Sequence, residues 1–491
     1  MENSANSPTG RYVTATADPD NDLRTLNARI DLPAAYDESY GHVLLPRPVL
    51  VCEREITSFA EDLAAVFRLL VSLPDRCFGG DLDRYGAAIG LTPELIEVMR
   101  EGATGDPLLY ARADAFHDGE RFRLLELNVG SELGGVDSAQ LNRALLDVPA
   151  FRAFAEANGL RHTDTMDHLV AQLRAAAATV AGADPVSPVV ALLEGPGAFG
   201  DHDSVFLSIQ EDMRGHGIEL LLGEIQELTE EADGKLALHG RPLDVVLRYF
   251  AAGQIAGDPV ARAALSRVNR AHAAGRTALF TPLEGALFTS KAALGLLHRA
   301  AVRAELSDAE KELVDRVLPR TWVLAADAPD AAQALAHART HRAELVLKPG
   351  IGYSADGVVI GRDVTDAVWQ EALELTAVRD YVAQELVVPA LEPVVDPGSG
   401  RVEEWVANWG IFVTPQGFGG AFCRALKPQD GSVITYANPG TRGTCVFTHP
   451  ETAPAPESAP ESAPESAPES APESVPASAP ESAAAFEESR I

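Results

Sequence analysis

Between its polar ends the chain alternates short apolar runs with longer stretches in which apolar positions recur every third or fourth residue, the mark of strands interleaved with amphipathic helices. PVLVCEREITSFAEDLAAVFRLLVSL reads as a strand feeding an amphipathic helix, and LTPELIEVMREG as a short helix with Thr92 as cap and Pro93 in its first turn. A long helix is predicted near Asp164 to Ala181. PVVALLEGPGAFGDHDSVFLSIQEDMRGHGIELLLGEI then gives strand, loop, helix and strand, one βαβ unit. DVVLRYF and TALFTPLE add two strands to the same layer, and Ser307 with Glu310 makes a capping box before another helix. The pattern predicts an α/β protein with more than one domain.

One stretch, LLYARADAFHDGERFRLLELNVGSELGG, departs from the simple apolar pattern. Period-two alternation puts Glu126 and Asn128 on one side of a strand, with Leu125 and Leu127 on the other, and Arg112 and Asp114 alternate with alanines in the same way. A two-residue Asp118-Gly119 turn sets Asp114 on the face opposite Glu126. A loop of odd length, such as Asp118 to Glu120, instead pairs Arg112 with Glu126 and stacks alanines on leucines. An odd loop or a bulge is therefore predicted. The polar face then holds hard oxygens suited to Mg²⁺ beside a guanidinium suited to phosphate or carboxylate. An ordinary solvated hairpin with a cross-strand ion pair has the same spacing.

A second region runs from about Phe288 to Phe447. Lys291 stands at the front of a helix, and Lys348 ends a strand before a glycine-rich loop containing Gly352. Such positions bring positive charge and backbone N–H groups onto phosphate oxygens. The loop lacks the GxxxxGK[ST] order of a P-loop. Gln384 and Glu385 end the apolar strand DYVAQELVVP, a place for contacts to a nucleobase. NWGIFVTPQGFGGAFCRALKPQDGSVITYAN reads as two antiparallel strands with Arg424 in the second. Arg424 and Arg248 are offered as substrate contacts, Arg248 alternatively as the ion-pair partner of Asp244.

Composition sets the bounds. The 491 residues are 46% hydrophobic and carry a net charge of −32, which discourages binding to nucleic acid or to an anionic membrane. Residues 451–491 hold nine glutamates and one arginine, −8 in all, leaving −24 for the rest. Their APES repeat places proline every fourth residue among hydrated side chains and is expected to form a disordered tail. Cys52, Cys77, Cys423 and Cys445 are far apart without CxxC spacing and read as reduced thiols. With no membrane-length apolar run and no apolar leader, a cytoplasmic protein is expected. A homo-oligomer is among the states the sequence leaves open.

The order of these segments resembles the ATP-grasp superfamily, in its circularly permuted branch related to glutathionylspermidine synthetase. That branch carries R-x-D followed by L-L-E-x-N, matched by Arg112, Asp114, Leu124, Leu125, Glu126 and Asn128. Its S/N-K-A segment is matched by Ser290, Lys291 and Ala292, and its V-x-K-P-x-x-G segment by Val346, Lys348, Pro349 and Gly352. The likeness spans roughly Pro46 to Phe447. It departs at Tyr353, Ser354 and Ala355, where the relatives carry an arginine, and no amidase domain precedes it, so glutathione and polyamine are not inferred as substrates.

The resemblance implies an α/β ATP-grasp fold preceded by a Rossmann-like layer. Its parts are an N-terminal arm at 1–40, the metal hairpin region at 41–182, a pre-ATP-grasp domain at 183–285, the nucleotide-binding region at 286–450 and the tail at 451–491. It implies ATP-driven ligation of a small-molecule acid to an amine, with Asp114, Glu126 and Asn128 on one or two Mg²⁺ ions. Lys291, Lys348, Gly352, Gln384 and Glu385 fall to ATP, Arg112 to catalysis, and the loop from Gly350 to Gly357 to closure over the site. The same parts serve a small-molecule kinase, and a non-catalytic nucleotide-binding partner protein is the third option.

Overall fold

The computed structural model describes residues 5–201, 203–325, 330–352, 357–376 and 380–451. Thr452–Ile491, where the expected tail falls, lie outside the described residues, as do Tyr353, Ser354 and Ala355. Met1–Glu451 forms one compact unit.

The largest sheet has the order Val49–Cys52, Arg442–His449, Gly417–Leu426, Val402–Thr414, Ala111–His117, Phe122–Val129. The first pair is parallel and the others antiparallel. The 13-residue strand Val402–Thr414 also pairs through its first half with Leu391–Val395. One face of the sheet packs on the helix Glu53–Phe78. Its Ile56, Phe59, Ala60, Leu63, Val66, Phe67 and Leu70 recur at helical spacing and are buried against Ala113, Ala115, Leu124, Leu127, Trp409 and Ile411. Each fully buried Leu, Ile or Phe there contributes roughly 1.5–3 kcal/mol. Gly79, with φ of 69°, ends that helix in the left-handed conformation that glycine adopts without a Cβ penalty.

The second sheet is the parallel layer expected from the βαβ reading. Its order is Ala278–Phe280, Val245–Arg248, Val189–Glu194, Glu219–Glu224. Val190 and Leu192 point to the helix Thr165–Ala177, capped by Asp164, while Ala191 and Leu193 point to the helix Pro259–Ala273. Helices therefore cover both faces, as a parallel sheet requires.

The third sheet is antiparallel, in the order Thr321–Val323, Tyr381–Glu385, Leu345–Pro349, Val359–Ile360. Leu345 and Leu347 pack with Trp369 and Ala338 under two helices, Ala331–Thr340 and Asp366–Leu375. The alternate residues Val346 and Lys348 are thereby turned toward the large sheet. At the amino terminus, Tyr12, Leu23, Leu26 and Tyr36 are buried with Phe151 and Phe447. Among the described residues no helix is long and apolar enough to cross a membrane.

Candidate active site

The hairpin of Ala111–His117 and Phe122–Val129 closes on a four-residue connection, not an odd one. The bulge offered as the alternative is present. Ala115 pairs with Leu124 and Asp114 with Glu126, so Leu125 is the extra residue. Arg112 consequently faces Asn128, and the expected Arg112–Glu126 pairing is corrected by two residues. The bulge also lets Leu124 and Leu127, three apart, both reach the core, while Leu125 lines the cleft rather than the apolar side.

Arg112 Nε donates to Asp114 Oδ1 at 3.0 Å, and Nη1 to the Gly134 carbonyl at 3.1 Å. Arg424, from the strand Gly417–Leu426, donates through Nη2 to Asp114 Oδ2 at 2.7 Å and to Asn408 Oδ1 at 2.9 Å. Burial by itself raises the Asp114 carboxyl, but the two guanidiniums outweigh it and hold the group below its usual range. Asp114 lies opposite Gly410, where a Cβ would meet the Phe422 ring at 2.5 Å. That ring sits between the two arginines, 5.8 Å and 5.9 Å from their guanidinium carbons.

Two lysines close the opposite side. Ser290 caps the helix Lys291–Leu296 and bonds the Gly350 carbonyl, which also accepts from the Lys291 N–H. Lys291 is 6% exposed, and its Nζ lies 3.1 Å from Glu126 Oε2. Lys348 Nζ donates to Gln384 Oε1 at 2.7 Å, and Gln384 Nε2 to Thr321 Oγ1 at 3.2 Å. Burial pushes the Lys348 ammonium down to about 8; Glu126 opposes the fall and Lys291 adds to it. Gln384, read from sequence as a nucleobase contact, thus has its amide committed to bracing Lys348. Glu385 is exposed and accepts from the Arg320 N–H.

All nine of Arg112, Asp114, Glu126, Asn128, Lys291, Lys348, Gly352, Gln384 and Glu385 line one cleft, together with Arg424. Its empty volume is about 1120 Å³ including the open mouth. Arg112, Lys291, Lys348 and Arg424 face Asp114, Glu126 and Glu385, a net +1 inside a chain of −32. The cleft is thus an anion site by charge. Phe116, Leu125, Val346, Ile360, Leu386 and Val387 give it an apolar end beside Lys348.

The structure does not bring Arg248 to this cleft. It is fully buried, donating to the Thr281 and Phe250 carbonyls at 2.7 Å each and pairing with Glu132 at 2.6 Å. Asp244, its partner in the sequence reading, pairs instead with Lys235 at 2.7 Å. Asn408 is the site residue that sequence reasoning missed. Its only signal was a polar side chain in the apolar second half of its strand.

Asp114, Glu126 and Asn128 fit Mg²⁺ by donor chemistry, since an ionised carboxylate accepts at about four positions and Asp114 uses two of them on arginines. Among the described residues no group of three or more His, Cys, Asp or Glu could hold a metal. Phosphate or water oxygens would therefore complete the shell.

No protein-family model matches the sequence, and no curated protein matches it either. Among solved structures, a putative gamma-glutamylcysteine synthetase from Methylobacillus flagellatus superposes with a TM-score of 0.40 at 13% identity, over 81% of this chain and 89% of that one. A glutathione synthetase-like effector from Globodera pallida, in its apo form, superposes with a TM-score of 0.52 at 13% identity, over 89% of this chain and 96% of that chain. The protein shares the fold of that glutathione synthetase-like effector.

Proposed function

We propose that this protein is an ATP-dependent carboxylate–amine ligase of the circularly permuted ATP-grasp type, forming an amide bond through an acyl phosphate. The observation that carries the reading is the convergence on one cleft of two lysines, a two-carboxylate-plus-amide set and two arginines, contributed by two sheets and a helix N-terminus. The hairpin precedes both lysines in the chain, the order of the permuted branch, and the shared fold with a glutathione synthetase-like protein supports the same reading.

The apolar end beside Lys348 suits a nucleobase, and Lys348 and Lys291 suit the phosphates. Asp114, Glu126 and Asn128 would hold Mg²⁺, which when bound neutralises phosphate oxygens. In the proposed first step a substrate carboxylate oxygen attacks the γ-phosphorus and the bond to the β-phosphate oxygen breaks, releasing ADP. Arg112 orients that carboxylate and neutralises charge on the transferring group, a role worth a few kcal/mol for a well-placed donor. An amine then attacks the acyl carbon, loses a proton, and phosphate departs. The test incubates the protein with ATP, Mg²⁺ and pooled amino acids, follows ADP and seeks a condensed product by mass spectrometry. An amide product whose formation requires the amine is expected; a stable phosphoester in its place sinks the proposal in favour of a kinase.

A further inference from the structure

The polar stripe of the cleft has a direction. It crosses four neighbouring strands, from Glu126 and Asn128 through Asp114 and Arg112 to Asn408 and Arg424, about 14 Å at the ~4.8 Å spacing of adjacent strands. Lys291 lies at the Glu126 end. The Arg424 end differs in three respects.

Arg424 Nε is buried and has no hydrogen-bond partner among the described residues, although Nη2 is pinned by Asp114 and Asn408. A planar guanidinium fixed on one side directs its remaining donors in a set direction, and an orphaned buried donor calls for an acceptor. The Arg112–Asp114–Arg424 group carries two positive charges against one negative, which leaves one charge for a ligand. The segment Ser432, Val433, Ile434 and Thr435 also lines the cleft, with two apolar side chains and two hydroxyls and no charge. Tyr436 follows, its ring 6.1 Å from that of Tyr40 and its hydroxyl against Gly443, the residue opposite Arg424 in the next strand.

We propose that this end of the cleft is the acid subsite, and that it takes a monocarboxylic acid with an apolar or aromatic body. The carboxylate lies on Arg424 and Arg112, and the body lies against Val433 and Ile434. The assignment rests on the ligase reading and narrows its substrate class. Among the described residues no cation lines the wall from Ser432 to Thr435, so a second carboxylate on the ligand would go unpaired there and dicarboxylates are disfavoured.

The test measures ADP release by the full-length protein with ATP, Mg²⁺ and single acids, comparing phenylalanine and leucine with glutamate and glutathione. ATP affinity is measured separately without acid. Hydrophobic monocarboxylates are expected to stimulate release. Arg424→Gln should raise the KM for the acid at least about 30-fold and shift ATP affinity less than about threefold. Ile434→Arg places a new cation in the wall and should move preference toward glutamate by at least about tenfold; it decides the matter if the Arg424 variant fails to fold. Acid-dependent turnover indifferent to both substitutions overturns the subsite and leaves the ligase standing. A wild-type preference for dicarboxylates overturns the substrate class. ATP binding with no acid-stimulated ADP release overturns the ligase reading and the subsite with it.

Discussion

Arg248 and Arg424 both lie in sheets, both meet a carboxylate, and both looked alike as polar residues in apolar strands. In the parallel sheet Arg248 is 0% exposed, and its three nitrogens reach two carbonyls, a hydroxyl and Glu132. In the large mixed sheet Arg424 is held on one side only, and its Nε lacks a partner among the described residues. The first has all three of its nitrogens engaged; the second lines a cleft with one donor left over. Ionic residues in this molecule are therefore told apart by what remains unsatisfied around them, not by residue type or burial.

The comparison is sharpest if one region loses activity and the other stability. Glu126→Ala should cut turnover by more than about 1,000-fold, because it removes both a proposed metal ligand and the partner of Lys291, with the melting temperature nearly unchanged. Surviving ATP turnover would refute the metal assignment. Arg248→Met should do the opposite, destabilising the fold by about 3–5 kcal/mol through the charge of Glu132 left without its partner. Urea unfolding measures it, and ATP affinity per folded molecule should persist.

Asp137 sharpens the contrast with Asp114. It is fully buried, but its partner is the Ser208 hydroxyl rather than a guanidinium, and burial pushes its carboxyl up to about 6. The folded state thus binds the proton more tightly than the unfolded chain. Its contribution to stability is full at low pH and is lost as pH rises through about 6. Asp137→Asn should therefore stabilise the protein by roughly 1–3 kcal/mol at pH 8 and by almost nothing near pH 4. A stabilisation independent of pH breaks the argument. The smallest effect is expected from deleting residues 452–491, which should leave turnover within about twofold; a large loss would give the tail a part in the reaction cycle.

Much of the architecture was legible because it depends on local pattern. The apolar spacing of Ile56 to Leu70, the Thr92 and Ser307 caps, and the continuous apolar run of Val189–Glu194 are each local signals that survive in the fold. The polar face of the hairpin and the positions of Lys291 and Lys348 were legible for the same reason. Arg248 was misread because burial of a charged residue depends on partners such as Glu132 and Thr281 that the sequence does not place beside it.

Register was the harder part. The four-residue connection of the first hairpin, without its bulge at Leu125, pairs Asp114 with Leu125 and turns Glu126 to the core. The two-residue turn after Thr414, without its irregularity between Ile411 and Val413, pairs Asn408 with Cys423 instead of Arg424. Because side chains alternate with period two, one inserted residue in each strand moves a polar group from one face of the sheet to the other. By itself the sequence determined which segments are strands and helices, and which carry the charges. The tertiary structure decided which charges share a cleft, since the contact of Arg424 with Asp114 spans 310 residues and depends on the registers that both irregularities set.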